Sequence, residues 1–500
     1  MITGRIRNYN LMNKVVSATE AAMLIKDGMT VATSGFTPSG YPKAVPLALA
    51  QIAEETKEKI KIKLYTGASV GDELDGTLAR SEIISKRLPY QTNNSMRDYT
   101  NNGGCEYLDM HLSHVSQYAN YGFLGKIDIA IVEAVAITKE GYIIPSTSIG
   151  CSPTFIDLAE KVIIEINTSQ PLELEGMSDI YIPEAPPNRK PIGLTNASQR
   201  IGTTYIPCNI EKIAAIVITD IEDNVKPLAP IDDISNQISG HLIDFLENEV
   251  KKGRLSENLL PLQSGVGNVA NAVLGGLLHS KFNNLVCYTE VIQDSMLDLL
   301  DAGKALHISG TAITPSEEGL KRFKDKIDFY KDKIILRPQE ISNHPEIIRR
   351  LGVIAMNTAI EADIYGNVNS TNIMGSQMMN GIGGSGDFSR NSYISIFTTP
   401  STAKNGTISS IVPFVSHTDH TEHDVMIIIT EQGTADLRGL SPKERAKLII
   451  NNCSHPDYRP MLLDYFNRAE NRKFKHTPHI LEEALSWHSR YLETGSMKII

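Results

Sequence analysis

IDIAIVEAVAI (residues 127–137) is a nearly continuous apolar run, interrupted only by Asp128 and Glu133. Such a run reads as a strand covered on both faces, as in a parallel sheet flanked by helices. KIAAIVITD (212–220) has the same character. KIKIKLYTG (59–67) alternates instead, with Ile60, Ile62 and Leu64 set between lysines, the pattern of a half-buried strand. Helical patterns separate these runs. After Pro230, the residues Ile234, Ile238, Leu242, Phe245, Leu246 and Val250 fall on one stripe. Ser441-Pro442-Lys443-Glu444 supplies an N-cap serine, a proline at the first helical position and a capping-box glutamate. The alternation predicts an α/β protein with mainly parallel sheets.

Five hundred residues exceed one ordinary core and imply two or three domains. With 41% hydrophobic and 21% charged residues, the chain has the profile of a soluble globular protein. Lys plus Arg number 48 against 58 Asp plus Glu, a net charge of −10 with no compensating basic block. That balance argues against a nucleic-acid partner, although a small anionic ligand needs only local donors. The cysteines (Cys105, Cys151, Cys208, Cys287, Cys453) are far apart and form no C-x-x-C pair, so neither a disulfide framework nor a zinc site is indicated. MITGRIRNYNLMNK lacks an apolar signal core, and Arg5 and Arg7 read as part of an ordinary exposed N-terminus. No segment reaches the ~18 apolar residues that span a bilayer. The expected location is the cytoplasm.

A weak internal repeat organises the chain. Tyr65-Thr66-Gly67 ends one strand-like segment, and Tyr288-Thr289-Glu290 ends another 223 positions later. Ala134-Val135, before Gly141, has its counterpart in Ala359-Ile360, before Gly366, at an offset of 225, and Ser146-Thr147 near the end of the first stretch answers to Ser370-Thr371 at 224. Two matches at nearly one spacing suggest duplicated halves. IPEAPPNRKPIG (182–193) reads as a surface loop of the first half, and EDNVKPLAPID (222–232) as the boundary. The expected domains are therefore 1–225 and 226–500.

The halves differ where chemistry could sit. Gly67 in the first copy corresponds to Glu290 in the second, directly after the apolar strand LVCYT. Open α/β sheets bind ligands at the carboxyl ends of their strands. The plainer reading is a helix-entry glutamate favouring the dipole of VIQDSMLDLLDAG (291–303). Two glycine-rich stretches weigh against it. In QSGVGNVANAVLGGLL (263–278), Gly265 and Gly267 open a turn into an apolar helix, which leaves N–H groups to meet an anion or a developing oxyanion. NGIGGSGDF (380–388) holds four glycines within six residues, flanked by the apolar Met378, Met379 and Phe388. Glycine permits close backbone approach to a ligand. A tight structural turn and a flexible hairpin are the alternative readings of these two stretches.

These stretches, with RPQEISNHPEIIRRLG (337–352), SHTDHTEHDV (416–425) and TEQGTADLRGL (430–440), occur in the order seen in the acetyl-CoA hydrolase/transferase family. The chain resembles most its succinate CoA-transferases, from SGFTPSGYPK (34–43) to HTPHILEEAL (476–485). The resemblance implies two related α/β domains of the CoA-transferase type, with the active site between them, usually in a homodimer. It implies a nucleophilic role for Glu290, an active-site role for Asn343, and an oxyanion hole from the backbone N–H groups of Val266 and Gly384. The CoA-contacting positions it implies are Gly265, Val266, Gly267, Asn268, Val269, Ile360, Asn380, Gly384 and Lys404. Coenzyme A would be a co-substrate alongside small carboxylates, with no permanently bound cofactor and no metal. Ser69 and Arg438 are candidates for the acyl pocket.

His417, His420 and His423 stand at three-residue spacing among Asp419, Glu422 and Asp424, which raises a metal site. The spacing matches neither H-E-x-x-H nor a finger, so a hydrogen-bonded polar loop is the expected role. Rival functions are an acyl-CoA hydrolase, a non-catalytic CoA-binding module and a sugar-phosphate isomerase on a related α/β unit.

Overall fold

In the computed structural model, which describes residues 2–225, 227 and 230–499, the apolar runs of the first half become strands of one sheet. In chain order they are β1 (Thr30–Thr33), β2 (Ile62–Tyr65), β3 (Ile84–Leu88), β4 (Glu106–Tyr107), β5 (Ile129–Ile137), β6 (Ile143–Pro145), β7 (Lys161–Asn167) and β8 (Ile213–Thr219). Their spatial order is β8-β7-β5-β1-β2-β3-β4 with parallel neighbours, and β6 folds back antiparallel on β5. Every residue of β5 is buried, as a strand covered on both faces must be. Alternate side chains feed two separate cores. Val31, Leu64, Ile129 and Ile131 join one, with Val45 and Leu49 from the helix Ala44–Thr56. Ala32, Tyr65 and Ala130 join the other, with Phe155. In β2 only Lys63 is exposed, as the alternation predicted.

The chain divides into two compact units: Met1–Pro227 with Val286–Leu300 and Leu306–Leu351, and Leu228–Leu285 with Asp301–Ala305 and Gly352–Ile500. This grouping differs from a single cut between 225 and 226, because contact rather than chain order defines it; residue 226 itself lies outside the described residues. Inside the first unit, Ile149 N–H donates to Thr311 O and Ile313 N–H to Thr147 O, both at 2.9 Å. Asp179 N–H donates to Leu336 O at 2.8 Å, and the buried Asp179 carboxylate pairs with Arg337. These bonds seat the segment that carries Glu290 and Asn343 on the first unit.

The second unit holds its own parallel run. Leu262–Ser264, Ile354–Thr358, Ile394–Thr398 and Ile427–Thr430 lie side by side in that order, with Gly433–Asp436 antiparallel at the edge. That succession has the topology of β1, β5, β7 and β8. The stripe after Pro230 becomes the helix Asp233–Lys251, capped by the Asp232 carboxylate on Ser235 N–H at 2.7 Å. Ile238, Leu242, Phe245 and Leu246 are buried, but Ile234 in the first turn is exposed, so the apolar face begins one turn later than its pattern indicated. The capping box is present. Ser441 N–H donates to the Glu444 carboxylate at 2.8 Å and its hydroxyl at 2.6 Å.

Candidate active site

The strand Leu285–Tyr288 delivers Thr289 and then Glu290 at its carboxyl end. A two-residue strand, Val291–Ile292, follows and pairs with Ala312–Ile313, so the helix Asp294–Asp301 begins four residues beyond Glu290. Glu290 is thus no helix-entry residue. Its backbone carbonyl accepts from Thr311 N–H at 2.7 Å and Ala312 N–H at 3.2 Å, which fixes the main chain beneath the carboxylate. The side chain is buried, and its Oε1 accepts from Asn343 Nδ2–H at 2.6 Å. Burial pushes the carboxyl up to about 7, against the pull of the Asn343 hydrogen bond, which favours the charged form. Asn343 is fully buried, and Ser342 Oγ–H donates to its Oδ1 at 2.8 Å. That bond fixes which amide atom faces Glu290, and its signal, Ser342 beside Asn343 in ISNHPE, stood unread in the motif. Glu340, on the same turn as Asn343, is a second buried carboxyl pushed up to about 7, with Arg189 Nη2 3.5 Å away.

The glycine turn at 265–267 runs into a helix, as its sequence suggested. Gly265 N–H donates to Met356 O at 2.9 Å, and Gly267, at φ +112°, enters the helix Asn268–His279. Val269 is half-buried, and the side chain of Asn268 lies outside the described residues. The second glycine stretch turns through Gly383, at φ +58°, and Gly384 into the helix Ser385–Asn391. Among the described residues, neither Val266 N–H nor Gly384 N–H donates to another protein atom. Ile360 and Asn380 are half-buried, and Lys404 is exposed at φ +49° in the turn between Thr402–Ala403 and Ile408–Ser409.

Residues 3–218 match the acetyl-CoA hydrolase/transferase N-terminal domain, and residues 319–466 match the C-terminal domain of the same family. The chain belongs to the acetyl-CoA hydrolase/transferase family. It is 61% identical to a succinyl-CoA:acetate CoA-transferase of Clostridium kluyveri over 494 residues, covering 99% of this chain and 92% of that protein. It is 47% identical to an acetyl-CoA hydrolase of Schizosaccharomyces pombe over 518 residues, covering 100% and 99%. Two solved structures share the fold. RipA from Yersinia pestis is 24% identical with a TM-score of 0.71, over 90% of this chain and 96% of that one. A 4-hydroxybutyrate CoA-transferase from Porphyromonas gingivalis is 22% identical with a TM-score of 0.62, over 91% and 98%.

Within this member of the acetyl-CoA hydrolase/transferase family, the repeat explains why one half carries the carboxylate. At Gly67, the counterpart of Glu290, an added Cβ would lie 2.9 Å from both Gln339 Oε1 and Gly35 O, and 3.1 Å from Gly150 Cα. Two of those three neighbours are backbone, so a side chain at this position would force the main chain to shift. Both acyl-pocket candidates hydrogen-bond within the protein. Ser69 Oγ–H donates to Asp75 at 2.8 Å inside a buried network with Arg87. Arg438 pairs with Asp436 at 2.7 Å and Glu249 at 2.9 Å. The three histidines diverge: His417 and His423 are exposed, whereas His420 is buried against Phe397. Among the described residues, no group of three or more His, Cys, Asp or Glu side chains is arranged to hold an ion. No helix among them is long and apolar enough to cross a membrane.

Proposed function

We propose that this chain moves CoA between an acyl-CoA and a small carboxylate, most closely as a succinyl-CoA:acetate CoA-transferase does. The observation that carries the reading is Glu290, a buried carboxylate at a strand's carboxyl end held by one amide donor. In this reading the ionised Glu290 attacks the thioester carbonyl and expels CoA thiolate, leaving an acyl-glutamyl anhydride. The thiolate then attacks the glutamyl carbonyl, releasing the donor acid and leaving a glutamyl-CoA thioester. An acceptor carboxylate reverses both steps. Each attack places negative charge on an oxygen, and the unengaged N–H groups of Val266 and Gly384 are the proposed donors; one such donor is worth about 3 kcal/mol. CoA is the co-substrate, held at Gly265 to Val269, Ile360, Asn380, Gly384 and Lys404. The enzyme is proposed to work as a cytoplasmic homodimer without a metal.

The 61% identity to a named transferase supports this assignment, and the 47% identity to a named hydrolase sustains the second reading, in which water takes the acceptor's place. A transferase must keep water from the glutamyl thioester while admitting a carboxylate. Initial rates are expected to be ping-pong, with parallel double-reciprocal lines. Acyl-CoA alone should label the Glu290 peptide with CoA, and borohydride should trap that thioester by mass. Thioester cleavage equally fast with and without added acetate or succinate would make the protein a hydrolase. Exhaustive chelation should leave turnover unchanged; a stoichiometric metal whose return restores lost activity would overturn the metal-free mechanism.

A further inference from the structure

The histidine-rich segment 416–425 grips the glycine loop from both sides. His420 is 1% exposed, and its backbone pairs with Val368 in both directions, at 2.8 and 3.0 Å. Its ring leans on Phe397 with centroids 4.7 Å apart. Nε2 lies 3.1 Å from Ser385 Oγ and 3.4 Å from Ser370 Oγ, and Nδ1 lies 3.3 Å from Ser389 Oγ. Ser385 Oγ–H already donates to Ile382 O at 2.6 Å, and Ser385 N–H donates to the same carbonyl at 3.2 Å. A hydroxyl has one proton to give, so toward Ser385 the imidazole must donate. The proton therefore sits on Nε2, and Nδ1 accepts from Ser389. The chain His420 Nε2–H, Ser385 Oγ–H, Ile382 C=O closes a loop around Gly383 and Gly384. Next door, the Asp419 carboxylate accepts from Ser370 N–H at 2.7 Å and from the Thr371 hydroxyl at 2.9 Å. Thr371 O in turn accepts from Met379 N–H at 2.8 Å, one residue before Asn380. One dipeptide thus anchors the chain entering the glycine loop and the helix leaving it.

We propose that His420, seconded by Asp419, is a positioning residue that aims the Gly384 N–H at the developing oxyanion. The inference rests on the role assigned above to that N–H. A loop this rich in glycine has many conformations open to it, and an oxyanion donor is effective only when its direction is set beforehand. The assignment of the proton to Nε2 makes the idea specific. A glutamine can place its amide N–H near the Nε2 position, whereas an asparagine reaches only the Nδ1 position.

The test compares wild type with His420→Leu, His420→Asn, His420→Gln and Ser385→Ala. Three quantities are read: kcat, the Kd of free CoA, and the infrared carbonyl band of bound dethia-acetyl-CoA, a ketone in which CH2 replaces the thioester sulfur. His420→Leu and His420→Asn should lose about 30-fold in kcat, less than outright loss of an oxyanion donor because the N–H is misaimed rather than removed, with CoA affinity held within about threefold. The band should return toward its frequency in water. His420→Gln should stay within about fivefold of wild type, and Ser385→Ala should lose about tenfold. A folded His420→Leu protein with wild-type kcat and an unmoved band would overturn the proposal. So would kcat and CoA affinity falling together while the band stays put, the mark of a merely structural residue. Should His420→Leu fail to fold, Ser385→Ala with unchanged kcat and band has the same force. A wild-type enzyme that forms no Glu290–CoA adduct would instead defeat the underlying transferase reading.

Discussion

Glu290→Ala is expected to lower turnover by about 10⁴-fold or more while leaving CoA binding within a few-fold of wild type. The proposed nucleophile disappears, but the positions proposed to contact CoA are untouched. Residual activity above a few per cent in a carefully purified sample would move the nucleophile elsewhere. Glu290→Gln adds a signature that does not depend on activity. In the folded protein the carboxyl is pushed up to about 7, above the ordinary glutamate range that it keeps when unfolded. The native state therefore holds its proton more tightly, and between the two values the unfolded state binds fewer protons. Stability falls as pH rises through that window. The full penalty, on the order of 3 kcal/mol, is present above about pH 7. Glu290→Gln should therefore melt at a higher temperature than wild type at pH 8 and at nearly the same temperature at pH 4. Equal shifts at both pH values would mean that burial of the charge is not what the wild-type protein pays for.

Asn343→Ala should have the second largest effect. The Nδ2–H donated at 2.6 Å stabilises the ionised carboxylate, the form proposed to attack. Wild-type kcat/KM should fall below about pH 7 with a limiting slope of one, since only the charged fraction reacts. Without the donor, Glu290 holds its proton to higher pH, so the acidic limb of Asn343→Ala should move alkaline. The loss should be about 100-fold at pH 7 and smaller at pH 9. Measuring kcat/KM from pH 5 to 9 for both proteins checks this. A limb that shifts to lower pH would show that water admitted by the smaller side chain outweighs the lost hydrogen bond.

By itself the sequence determined what depends on near neighbours. The burial period of IDIAIVEAVAI and KIAAIVITD fixes strands covered on both faces, because side-chain direction along a strand alternates whatever the partner. The capping box at Ser441 and the entry of Gly267 into a helix are equally local, governed by backbone groups within one turn. Glu290 was legible as a strand-end carboxylate through its mismatch with Gly67. Only the tertiary structure decided which groups meet across long separations. The Asn343 bond to Glu290 spans 53 positions, and its existence depends on how the segment 337–350 seats within the first unit. The closure at Gly67 depends on Gly35, Gly150 and Gln339 converging there, which no spacing encodes. The three histidines looked equivalent at regular spacing, yet a strand pairing with Val368 turns His420 inward and leaves His417 and His423 exposed. The same holds for protonation. A carboxyl's affinity for its proton follows from the water removed around it, and that is set by every element packed against it, not by the residues beside it in the chain.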